Sequence, residues 1–169
     1  KNTIDSALAA VSQIITRNIE IVIGGSAAAV LREDISRDAH DCDVGAINPP
    51  DAEADIMSAG NQVAKDAGLN NDWLNCQMMA WDNEFPLGWR NRTTTYITAG
   101  LLTVSLMSRP DCVGTLLLRL LNGTPDQDLA DINEMELTNG ERHAIRSHLD
   151  VLRQNGYETD AIRQALNLW

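Results

Sequence analysis

Lysine is nearly missing from this chain. Of its 169 residues only Lys1 and Lys65 are lysines, so eleven of the thirteen basic residues are arginines. Acidic residues number twenty-four, giving a formal net charge of −11. A body of that sign repels polyanions, so any contact with nucleic acid needs a local group of arginines. Aromatic residues are scarce as well, at 4%, with one Phe and two Tyr beside four Trp. Cys42, Cys76 and Cys112 are the only cysteines. An odd number without CxxC spacing excludes a disulfide framework and a thiolate zinc site, and favours a reducing compartment. No apolar run reaches the roughly 20 residues that a membrane helix requires, because the longest, 21–31, is short and broken by Gly24-Gly25. No secretory signal is visible, and the expected location is cytoplasmic, with no membrane partner.

What is present is 44% hydrophobic residues, enough for one domain with a substantial core. Ile4, Leu8, Val11 and Ile15 recur at helical spacing within 3–17. The β-branched run 19–23 reads as a buried strand that stops at Gly24-Gly25, and Ser26 is expected to cap a helix over 27–32. A second strand is predicted over 42–47 and a helix over 51–67, which ends at Gly68. The stretch 69–92 shows no period. Two strands, 93–98 and 101–107, flank Ala99-Gly100, and a helix runs from Pro110 to Gly123. The last third is helical: Thr138 to Glu141 fits a capping box before a helix that ends at Gly156, and Ile162, Leu166 and Trp169 stripe a final one. The fold class is α/β (α+β), a mixed sheet with flanking helices. Residues 1–123 are expected to form the α/β core, with 124–169 a helical part packed on it.

Chemistry is concentrated where Gly24-Gly25-Ser26 follows the first strand and Asp41-Cys42-Asp43 opens the second. Glycines let the backbone approach a ligand closely, and the N–H groups that begin the next helix suit an anion. Ser26 offers a hydroxyl to a phosphate oxygen. Alternation along a strand sends Asp41 and Asp43 to one face and His40 and Cys42 to the other, so the four cannot meet one ion. Two carboxylates beside a phosphate cradle are the donors that Mg²⁺ takes. The bland reading is a strand, turn and helix with a solvated acidic edge. Asp-x-Asp alone says little in a chain with sixteen aspartates, where Asp126/Asp128 repeats it, but the ordered combination is more restrictive.

The stretch 21–47 resembles the signature of the DNA polymerase β-like nucleotidyltransferase superfamily. Arg37, the run Asn71-Asp72-Trp73-Leu74-Asn75, Trp89-Arg90-x-Arg92, Ser108-Arg109-Pro110-Asp111 and the segment 126–132 are similar to a bacterial branch of nucleotidyltransferase-like proteins near the abortive-infection and toxin–antitoxin toxins. The resemblance covers about 18–155. It implies a nucleotidyltransferase-like core and Mg²⁺-dependent (or Mn²⁺-dependent) transfer of a nucleoside monophosphate from NTP to an RNA (tRNA) or protein hydroxyl, with a cognate antitoxin as a further partner. Asp41 and Asp43 would hold the metal. Gly24, Gly25, Ser26, Arg37, Arg109 and Arg119 would bind the nucleotide, with Arg90 and Arg92 as further cations for pyrophosphate or RNA.

This chain departs from the family pattern in three places. The expected third carboxylate is absent from 93–98 and 101–107, leaving Asp111 and then Glu84 as the nearest candidates, with Asp111 taken as the third catalytic acid. The lysine that the related toxins carry in the helix after such an aspartate is absent, and Arg119 lies further along. The fourteen residues between Ser26 and Asp41 make a slightly long link.

Asp126, Asp128 and Asp131 read first as acids at a helix N-terminus, the alternative being that Asp128 or Asp131 faces the cleft and orients a cation. Trp73, Trp81 and Trp89 read first as core and second as stacking surfaces for a base. His143 and His148, about 140° apart around a helix, do not form a metal pair. Two further readings stay open: a nucleotidyltransferase fold kept as a nucleotide- or partner-binding module without activity, and an unrelated acidic interaction protein.

Overall fold

The computed structural model of the protein describes residues 2–123 and 127–168. Helix α1 (Asn2–Ile14) leads into strand β1 (Ile19–Ile23), α2 (Gly25–Leu31) and β2 (Cys42–Asn48). A 3₁₀ turn at Pro50–Ala52 precedes α3 (Glu53–Ala67). The stretch without a period holds a two-residue strand, β3 (Leu74–Asn75), and two 3₁₀ segments, Gln77–Glu84 and Trp89–Arg92. Strands β4 (Thr94–Ala99) and β5 (Leu102–Leu106) form the hairpin, and α4 (Arg109–Leu121), α5 (Gln127–Glu134), α6 (Asn139–Gln154) and α7 (Asp160–Ala165) follow. The fold is mixed α/β, as its patterning implies. Among the described residues no helix is long and apolar enough to cross a membrane.

The five strands lie in the order β3-β2-β1-β5-β4. β1 pairs antiparallel with β2 and parallel with β5, so the central strand joins the Asp-x-Asp strand to the hairpin. Side-chain alternation explains the burial: Ile19, Ile21 and Ile23 are at most 1% exposed, whereas Glu20 and Val22 point to the opposite, more open face. Val22 pairs with Ala46 but Ile23 pairs with Val44, so Gly45 is the extra residue of a β-bulge. A Cβ at Gly45 would lie 2.6 Å from the Met107 terminal methyl, so a side chain there requires that methionine to move.

Helix α4 is the hub of the helical layer. Every residue from Asp111 to Leu118 is buried, and α2, α5 and α6 all pack on this helix. The capping box of α6 forms as the sequence implies, with Thr138 accepting from the Glu141 N–H and Glu141 accepting from the Thr138 N–H.

Two local expectations are corrected. Helix α1 ends at Ile14 rather than at residue 17, because Arg17 turns outward to Asp51 and Asp55. Helix α2 begins at Gly25, so Ser26 is not its cap: Gly24 holds the cap position with extended backbone and no side-chain bond, and Ser26 sits inside the first turn. Asp126 and Trp169 lie outside the described residues.

Candidate active site

The link from Arg32 to Asp41 returns the chain from α2 to β2, and there the two aspartates meet the glycine corner. Asp41, just before β2, and Asp43, within it, line one cavity of about 610 Å³ together with Ser26. The other walls carry Arg37, Arg119 and Asp128. Gly25 has φ +59°, a conformation that glycine adopts without steric cost, and a Cβ there would lie 3.3 Å from Asp43 Oδ2. The corner and the carboxylate are therefore in close approach. Gly25→Ala is expected to cost about 1–2 kcal/mol of stability and to weaken ligand binding by crowding Asp43. Chemical denaturation and nucleotide titration of the variant check both effects.

The backbone donors of this corner are unequally available. The Gly24 N–H donates to the Asp43 carbonyl at 3.0 Å, and the Gly25 N–H donates to Thr115 Oγ1 at 3.1 Å. Both N–H groups are therefore engaged within the fold rather than open to a ligand. Gly24 is a packing position, where a Cβ would lie 2.6 Å from Met78 Cε and 2.7 Å from Met107 Sδ. The N–H groups of Ser26 and Ala27, by contrast, have no partner among the described residues.

Asp43 is only 14% exposed at its side chain and is held at both oxygens. Asn75 Nδ2 donates to Oδ1 at 3.0 Å, and Arg119 Nη1 lies 3.2 Å from Oδ2. Burial raises its pKa above the usual carboxylate range and neighbouring Asp41 adds to this, while Asn75 and Arg119 oppose it. Asp41 itself makes no hydrogen bond to another described residue. Asp128, 1% exposed on α5, faces the same cavity, and its Oδ2 lies 3.1 Å from Arg119 Nε. That contact lacks the direction of a hydrogen bond, so Oδ2 is buried with a charge beside it and no hydrogen bond. Burial raises the Asp128 pKa too, with Arg119 opposing.

Asp128, in the first turn of α5, and Asp131, one turn on, are both partners of arginines. Asp131, fully buried, takes both arms of Arg37, at 2.7 Å and 2.5 Å, which leaves Arg37 on the cavity wall as a fixed cation. The sequence pattern includes Asn75 without assigning it a role, and it does not single out Thr115. Asn75 is placed by the two-residue pairing of β3 beside β2, and Thr115 reaches the glycine corner from ninety positions further along the chain.

Asp111 does not belong to this cavity. It sits at the start of α4, eight residues before Arg119, which is about 12 Å along a helix axis. Fully buried, it accepts from Arg92 Nε at 3.0 Å and Nη2 at 2.6 Å and from the Ser108 hydroxyl. Asp111 lines a separate cavity of about 560 Å³ beside Phe85, Pro86 and His148. Arg109 is likewise remote: its guanidinium bonds Glu141, Asp34 and the Met135 carbonyl, which ties α4 to α6 and to the end of α2. The geometry therefore corrects both assignments, because their polar atoms are consumed in buried structural contacts. Glu84 accepts from the Tyr157 hydroxyl and is not at the cavity either.

Of the tryptophans, Trp73 and Trp89 are core. Trp73 donates to the Gly60 carbonyl, and Trp89 donates to Asp82 while packing edge-on against Phe85. Arg90 stacks over Trp89 and grips Asp82. Trp81 lines the Asp41–Asp43 cavity, half-buried.

His148, 7% exposed, has a buried Nε2 without a hydrogen-bond partner, and burial pushes its pKa down to about 4 against the pull of Asp111. The unfolded chain therefore binds a proton that the folded chain refuses. Stability is full above the ordinary histidine range and falls as pH drops from about 6.5 towards 4, by roughly 2–3 kcal/mol. Urea midpoints measured across that window should fall for the wild type and flatten for His148→Leu.

The metal that the fold family implies has a testable fit. Among the described residues no group of three or more His, Cys, Asp or Glu is arranged to hold an ion. Two carboxylates lining one cavity do suit Mg²⁺ that arrives with its substrate, because this ion keeps water and phosphate oxygens among its ligands. A resident metal cage does not fit; a nucleotide-borne ion does.

A mixed sheet with a Gly-Gly-Ser corner set against an Asp-x-Asp strand defines an α/β protein of nucleotidyltransferase type. The chain belongs to the family described as nucleotidyltransferase of unknown function (DUF6036), whose model matches residues 2–160. No curated protein and no solved structure matches it significantly.

Proposed function

We propose that this protein binds a nucleoside triphosphate with a divalent ion in the Asp41–Asp43 cavity and transfers the nucleoside monophosphate to a hydroxyl of RNA, such as tRNA, or of a protein. The observation that carries the reading is the convergence of Ser26, Asp41 and Asp43 on one cavity, with the Gly25 backbone packed against the Asp43 carboxylate. Family membership supports the reaction class. The resemblance to abortive-infection and toxin–antitoxin proteins favours a toxin role with a cognate antitoxin.

In this reading the free N–H groups of Ser26 and Ala27, with the Ser26 hydroxyl, receive phosphate oxygens. Arg37, locked on Asp131, supplies a fixed positive charge without reorganising. Asp41 and Asp43 would hold Mg²⁺ or Mn²⁺, which supplies charge stabilisation for the attacking and leaving oxygens. The acceptor oxygen forms a bond to the α-phosphorus as the bond to the bridging oxygen breaks. Pyrophosphate leaves, and the hydroxyl proton passes to water.

A module that binds nucleotide without transfer is the second reading, favoured by β4 and β5, which carry no acid to act as a third ligand. Incubation with α-labelled NTPs, Mg²⁺ or Mn²⁺, total tRNA and cell protein separates the two. Transfer by the wild type that is lost in Asp41→Ala/Asp43→Ala supports the enzyme. Binding without label transfer under either metal supports the module, and no nucleotide binding at all removes both.

A further inference from the structure

We propose that Arg119 is a displaceable counter-ion of Asp43, which keeps divalent metal off the nucleotide-free site and makes metal and nucleotide bind as a pair. This inference rests on the reading of the cavity given above. Its physical basis is the contrast among the buried-carboxylate arginines of this protein. Arg37 grips Asp131 with two directed bonds, and Arg92 grips Asp111 in the same way. Arg119 has no such fork: one nitrogen lies 3.2 Å from Asp43 and another lies 3.1 Å from Asp128 without hydrogen-bond direction. Bidentate pairs hold a guanidinium firmly, whereas divided single contacts hold it loosely. Arg119 is therefore the cation of this wall most easily withdrawn.

Its position is also informative. The contact takes Asp43 Oδ2, the oxygen that faces Gly25, while Asn75 takes the other. A metal approaching Asp43 from the cavity meets a positive charge already seated on its ligand. A triphosphate offers Arg119 several anionic oxygens in place of one, so it draws the guanidinium off Asp43 and brings the replacement cation with it. Asp128 supplies the second resting point, and its buried oxygen without a hydrogen bond marks a partner held in an unsatisfied arrangement. Affinities coupled in this way are reciprocal: nucleotide must strengthen metal binding by the factor by which metal strengthens nucleotide binding.

Mn²⁺ binding followed by electron paramagnetic resonance, alone and with a non-hydrolysable α,β-methylene NTP, tests this on the full chain. The wild type is expected to bind Mn²⁺ alone at least tenfold more weakly than Arg119→Gln, and to gain about tenfold or more when the analogue is added. Arg119→Gln should lose most of that gain. Arg119→Lys, which keeps the charge, should keep the wild-type pattern and serves as the folded control if the glutamine variant melts early. Equal Mn²⁺ affinity and equal gain in wild type and Arg119→Gln overturn the counter-ion role while leaving the nucleotide site intact. Absence of Mn²⁺ binding in all three proteins, with and without analogue, overturns the site as well.

Discussion

Asp43→Asn is expected to lower nucleotidyl transfer by about a thousandfold or more while the protein stays folded. In the proposed mechanism the loss follows from removing one of the two charges that would hold the cation. The stability follows from the burial of that side chain. Burial, and then Asp41, raise the Asp43 pKa, so its charged form is a cost to the folded state above the usual carboxylate value. That cost disappears as pH falls through the raised pKa, and an amide removes it at every pH. The variant should therefore melt at or slightly above the wild-type temperature, within about 1 kcal/mol, because Arg119 gives up only one loose contact. Label transfer from α-labelled NTP, measured beside a thermal melt, checks both halves. Transfer within tenfold of wild type would remove Asp43 from the chemistry.

Arg92→Ala is expected to act in the opposite sense, on stability rather than on the reaction. The Asp111 carboxylate is 1% exposed and accepts two directed bonds from Arg92, so truncation leaves a buried charge with only the Ser108 hydroxyl. Such stranded charges typically cost 3–5 kcal/mol. Arg92 itself is 43% exposed, so water can reach part of the gap, and about 2–4 kcal/mol is the expected loss. For a chain of this size that is a drop of roughly 5–15 °C in melting temperature. Asp111→Asn keeps the shape and removes the charge. It should transfer label within about threefold of wild type per folded molecule, which separates a structural acid from a third metal ligand. Arg17→Ala, at an exposed pair, is the control and should leave the melt unchanged.

Local chemistry made much of the fold legible. Ile19 to Ile23 form a strand because β-branched residues end at two glycines, α3 stops at Gly68 in the left-handed conformation, and the capping box starts α6. Each is a short-range preference that survives packing. The segment 69–92 was not legible for the same reason: β3 exists only through its pairing with β2, and two residues carry no period of their own. Ser26 misled as a cap because the helix begins two residues earlier, at Gly25, with Gly24 in the cap position.

The site divides in the same way. The ordered residues Gly25, Ser26, Asp41 and Asp43 are close enough in sequence for strand alternation and one turn to place them, and family membership follows from such patterns. Which of the eleven arginines reaches that cluster is decided only by the folded chain. Arg119 meets Asp43 across seventy-six positions because α4 is buried between α2 and α5, while Arg109, nearly three turns earlier on that helix, is turned towards α6. A sequence fixes side-chain chemistry and nearest-neighbour geometry. The choice among like charges rests on packing of distant elements, a property of the whole core.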